Sequence, residues 1–131
     1  MRIIAKEIGE AFLHGRPRKI KNTETDGKTV WLFGNRIMWR DEAGNVWVTL
    51  AGYNTKTTRS RLNDFCTVLG LDARFATRLG IAYMNGKRID DDDEIMPPVR
   101  VREVTVDGIT VIERGRVDPN ATALAAAGAW L

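Results

Sequence analysis

The stretch Tyr53-Asn54-Thr55-Lys56-Thr57-Thr58-Arg59-Ser60-Arg61 holds the densest set of side chains able to bind or react. Three threonines and a serine supply hydroxyls, and Lys56, Arg59 and Arg61 bring positive charge to the entry of a helical pattern. Hydroxyls, guanidinium groups and backbone N–H groups that converge on a helix N-terminus bind phosphate or carboxylate. The spacing is not a P-loop, since it has no glycine-rich cradle and no Gly-Lys-Thr. The composition points to an anion site, not to nucleotide hydrolysis. The plain alternative is a well-capped helix with solvated arginines.

A second candidate is Asp90-Asp91-Asp92-Asp93-Glu94. Hard cations want several oxygen ligands, but these acids are consecutive and the glycine of a calcium loop is missing. A solvated, self-repelling loop is expected, or an acidic patch that engages a basic surface on a partner protein. Neither Ser60 nor the threonines have a histidine placed to activate them. His14, the single histidine, falls in the last turn of a helical pattern, where the helix dipole favours a cation. Cys66, the single cysteine, lies on an apolar stripe and reads as a small core residue. One thiol allows no internal disulfide and suits a reducing cytosol, and the His/Cys count speaks against zinc. The expectation is no enzyme, no cofactor and no metal.

The elements that must position these residues follow from periodicity, and they define an α+β chain. Ile4, Ile8 and Phe12 recur every four residues, predicting a helix over 3–13 that Gly15 and Pro17 stop. From Arg18 to Tyr53 the period becomes two. Asp26-Gly27, Gly34-Asn35 and Ala43-Gly44-Asn45 punctuate it into a four-stranded antiparallel meander. Arg59 to Leu69 is the central helix, with Leu62, Phe65, Cys66 and Leu69 on one stripe and Thr57 or Thr58 as N-cap. Phe75, Ala76 and Leu79 suggest a second short helix over 72–79. Ile81–Met84 returns to strand, and Asp107-Gly108 turns residues 99–113 into a C-terminal β-hairpin. Residues 1–117 form one domain on this reading, with an alanine-rich tail or short helix over 118–131.

The meander followed by a helix is a β-β-β-α unit, a type of unit that lays a sheet face into the DNA major groove. Strict alternation puts Arg36, Met38 and Arg40 on one face of their strand, opposite Ile37 and Trp39. Lys28 shares a face with Val30 and Leu32. Trp31, Trp39 and Trp47 are either presented with the cations or clustered under a helix, and the commoner fate of tryptophan favours the core. Charge is divided in the same sense. Residues 1–61 carry twelve Lys/Arg against six Asp/Glu, and residues 62–131 carry eight against eleven, leaving a net +3. A polyanion would therefore meet the first half. At 131 residues, 44% hydrophobic and 28% charged, the chain has ordinary globular usage. It has no apolar run long enough for a membrane span and no signal-peptide core, so a cytoplasmic location is expected.

The segments Asn22-Thr23-Glu24-Thr25-Asp26-Gly27, Leu32-Phe33-Gly34-Asn35-Arg36-Ile37 and Ala51-Gly52-Tyr53-Asn54-Thr55-Lys56-Thr57-Thr58-Arg59-Ser60-Arg61-Leu62-Asn63 resemble a family of small uncharacterised bacteriophage proteins. The resemblance spans about residues 20–65. It implies a phage origin and a small accessory role, and brings no activity or catalytic residue with it. The expected function is binding of DNA or RNA through Lys28, Arg36, Arg40, Tyr53, Thr55, Lys56, Thr57, Thr58, Arg59 and Arg61. The alternative is a non-enzymatic inhibitor of a host protein, such as a defence nuclease or the transcription machinery. It would act through Asp90, Asp91, Asp92, Asp93 and Glu94 or an exposed aromatic patch. Whether the chain is a monomer or a homodimer is left open by its residues.

Overall fold

The computed structural model describes residues 2–117, so the alanine-rich segment 118–131 lies outside the described residues. Helix α1 (Ile3–Leu13) buries Ala5, Ile8, Gly9 and Phe12. Five short strands follow on tight turns: β1 (Arg18–Ile20), β2 (Thr23–Thr25), β3 (Thr29–Leu32), β4 (Asn35–Arg40) and β5 (Val46–Val48). They pair in sequence order as one antiparallel sheet. The meander thus has five strands where four were expected. Residues 18–25 are not one weak strand but two, folded back at Lys21-Asn22, with Lys21 at φ +52°. At the next turn Asp26 Oδ1 accepts the N–H groups of Lys28 and Thr29.

Helix α2 (Lys56–Leu69) starts two or three residues earlier than a Thr57 or Thr58 cap allows. Thr55 is the N-cap, its hydroxyl accepting from the Thr58 N–H. Gly70, left-handed at φ +73°, ends it. The stripe Leu62, Phe65, Cys66 and Leu69 is buried against α1 and one face of the sheet, with Val30, Leu32, Met38 and Val48. The two helices touch at Gly9, where a Cβ would lie 3.1 Å from Val68 Cγ1, so the helix crossing there needs the smallest residue.

The helix expected over 72–79 is absent. Residues 75–78 form β6 (Phe75–Arg78), paired with β7 (Ile81–Met84), which pairs with β8 (Lys87–Arg88). The spacing of Phe75 and Leu79 mimics a helical stripe, yet Phe75 is 3% exposed and Leu79 93%. Side-chain amides decide the outcome. Asn63 of α2 accepts the Phe75 N–H and donates to the Phe75 carbonyl, and so stands in for a neighbouring strand. Asn85 does the same for Arg74 and Asp72. The last hairpin, β9 (Val101–Val106) and β10 (Ile109–Arg114), turns at Asp107-Gly108. Arg102 bridges to Glu113 across it.

Leu79 and Gly80 both have positive φ, the geometry of a type I′ turn that favours Asn-Gly. A branched apolar residue is strained there and, being exposed, recovers nothing by burial. Leu79→Asn is expected to stabilise the chain by about 1 kcal/mol. The check is a higher urea midpoint at unchanged m-value, and a lower midpoint contradicts it.

Candidate nucleic-acid interface

Because directly paired residues of neighbouring strands share a face, the register lays out the side of the sheet turned away from the core. Lys19, Glu24, Trp31 and Arg36 make one row across β1 to β4. Thr29, Trp39 and Trp47 make a second. Trp31, Trp39 and Trp47 are each half-buried on this open face and outside the core. The expected cluster under a helix is therefore corrected: α1 packs against β1, β2 and β3 on the other side.

Strict alternation also fails in β4, for a physical reason. The ladder shifts between Val30↔Met38 and Trp31↔Arg36, so β4 holds one extra residue, and Ile37 and Met38 are both buried. This bulge resets the pleat and brings Arg36 onto the face of Trp39, its guanidinium 3.7 Å from the ring centroid. Arg36 also pairs with Glu94 at 2.8 Å. Trp47 is fixed by its indole N–H, which donates to Asp41, and that bond is the main cause holding the Asp41 carboxyl below its ordinary range.

At one end of the face the chain turns at Phe33-Gly34, again with both φ values positive, +51° and +78°. A phenylalanine in this conformation is a steric outlier costing about 1–2 kcal/mol. Its ring is not spent on packing, being 68% exposed. Phe33 lines two recesses. On one side lies a hollow of about 140 Å³ with Lys19, Lys21, Asn22, Glu24 and Trp31. On the other lies a cleft of about 430 Å³, formed with Tyr53, Asn35, Leu32, Ile37, Leu50, Thr55, Thr57 and Thr58.

The residues singled out by sequence divide against this geometry. Tyr53 is half exposed, Thr55 and Lys56 are exposed and Thr57 is half-buried, together at the head of α2. Lys28 is exposed at the opposite end of the sheet from Phe33. Thr58 is buried and bonded to the Thr55 hydroxyl. Arg59 donates to the Asn54 carbonyl and side-chain oxygen. Arg40 is a correction: it donates to the Gly27 and Phe12 carbonyls over the Phe12 ring, and burial lowers its pKa. Arg61 is another, only 6% exposed, with Nη1 lacking a partner among the described residues; burial first, and then Arg2, lowers its pKa. A convergent guanidinium receptor at the mouth of α2 is therefore not formed. Sequence reasoning missed Lys19, Lys21 and Phe33. The available signal was Phe-Gly at a turn that favours Asn-Gly.

The acidic segment is partly engaged. Glu94 is held by Arg36, and Asp93 accepts the Asp90 N–H, while Asp90 and Asp92 stay exposed. Among the described residues no cluster could hold a metal ion. Cys66 is buried, and its thiol is pushed up to about 12 by that burial, which leaves it unreactive. Among the described residues no helix is long and apolar enough to cross a membrane.

These features define a small α+β protein whose five-stranded sheet is covered by helix on one side and bears tryptophans on the other. Residues 1–98 match the family model described as Kyanoviridae Gp96 protein, about three quarters of the chain, and the chain belongs to that bacteriophage family. No curated protein and no solved structure matches it. The open face, the hollow and the cleft all lie within the matched residues, while β9 and β10 lie beyond them.

Proposed function

We propose that the protein binds nucleic acid as a non-enzymatic phage accessory factor, through the open face of its meander. One observation carries this reading: Lys19, Lys21, Trp31 and Phe33, with Glu24 among them, line a single hollow on the side of the sheet that no helix of the described residues covers. Aromatic rings beside lysines are the chemistry of a stacking platform with an electrostatic track. Lys56, exposed at the first residue of α2, extends the track past the cleft. The arginines of the helix entry contribute to the fold instead, so the contacting set differs from the one that composition suggested. The acidic segment gives the partner-protein alternative less support, since Glu94 is tied back to Arg36.

The test is fluorescence anisotropy of a labelled oligonucleotide across a salt series. Binding is expected at about 50 mM salt, where even non-specific complexes form. Changing Lys19, Lys21 and Lys56 together to Gln should lower the log-salt slope by about 2. Absence of binding at that salt defeats the proposal.

A further inference from the structure

We infer that the ligand is a single strand, of DNA or RNA, and that the cleft between Phe33 and Tyr53 receives one of its unstacked bases. This rests on the nucleic-acid reading above and narrows it. The cleft has an apolar floor, Leu32, Ile37 and Leu50, each no more than 2% exposed. Asn35 and Thr57 add polar groups to its lining, while the Thr55 hydroxyl is taken up by Thr58, and Phe33 and Tyr53 stand exposed beside it. Apolar walls with a few polar groups, at about 430 Å³, suit a flat heterocycle whose edge must be hydrogen-bonded.

Phe33 decides between strand and duplex. Its ring borders both the cleft and the Trp31 hollow, so it separates two neighbouring positions. Phe33 follows β3 in the turn, so a base in the hollow against Trp31 and a base in the cleft have its ring between them. Bases resting against both rings are unstacked from each other, which a duplex does not allow. A polyanion fits the net charge as well: Lys19 and Lys21 outnumber Glu24 at the hollow, and Lys56 follows Thr55 at the cleft. An apolar side chain of a partner protein would leave those lysines unanswered.

The experiment compares four labelled probes on the full chain: a 12-nucleotide oligo-dT, a 12-nucleotide oligo-U, a duplex of equal length, and an abasic strand of equal length. The expected result is affinity for oligo-dT or oligo-U at least tenfold above that for the duplex and the abasic strand. Phe33→Asn and Tyr53→Ala should each weaken that binding at least fivefold and leave the duplex and abasic affinities unchanged. Phe33→Asn relieves the turn, so its melting temperature should hold or rise, which separates lost contact from lost fold. Equal affinity for all four probes would overturn the base cleft while leaving nucleic-acid binding intact. Tight single-strand binding indifferent to both substitutions also overturns the cleft. No binding to any probe overturns both readings.

Discussion

A chain carrying Trp31→Ala and Trp39→Ala is expected to bind a single-stranded oligonucleotide at least about 30-fold more weakly than the natural one. Base–aromatic stacking is worth about 1–3 kcal/mol per base, and two rings lost together approach the lower end of the summed value even with imperfect additivity. Trp39 is also the seat of the Arg36 guanidinium, whose own plane can stack a base. The fold should survive, because the core residues of these strands, Val30, Leu32, Ile37 and Met38, lie on the opposite side of the sheet. Circular dichroism and a melting curve check the fold, and anisotropy at fixed salt checks the affinity. Unchanged affinity in a folded double variant would contradict a role for the open face.

The second large effect is on stability. Arg61→Met is expected to raise the unfolding free energy by about 1–3 kcal/mol, the usual cost of a buried, unsatisfied polar group. Arg61 is 6% exposed, its Nη1 has no partner among the described residues, and its charge is repelled by Arg2 and attracted by Asp64. Methionine keeps an unbranched stem in the same space, without a charge to desolvate. In a chain of this size the gain is worth several degrees in Tm. Oligonucleotide affinity should not change, since the side chain does not reach a surface ligand. A lower urea midpoint, or weaker binding by a folded Arg61→Met chain, contradicts this assignment.

The hairpins were legible because their turns are written in the chain. Asp26-Gly27 and Asp107-Gly108 each mark a real reversal, at Gly27 and Gly108 with positive φ. The buried stripe of α2 was legible from Leu62, Phe65, Cys66 and Leu69. The same stripe held the answer for Arg61, which precedes Phe65 and Leu69 at four-residue spacing and so faces inward. Its charge argued for the surface, and geometry prevailed. Strand β6 was not legible, since two side-chain amides distant in sequence, Asn63 and Asn85, supply the bonds that a helical pattern would have supplied locally. The meeting of Arg36 with Trp39 was hidden for a related reason. A one-residue bulge in β4 inverts every later assignment of face, and period-two reading cannot register it. The tryptophans were read as core because they are large. They lie outside it because α1 takes the other face.

Since Trp31, Trp39 and Trp47 all lie on the proposed binding face, their own emission reports on it. The most direct measurement is titration of the unlabelled protein with oligo-dT at low and at high salt, read by tryptophan fluorescence. Saturable quenching is expected at low salt, reversed by added salt and strongly reduced in the Trp31→Ala, Trp39→Ala chain. Emission that stays constant while anisotropy reports a bound oligonucleotide would place the contact elsewhere and rule out binding at the open face.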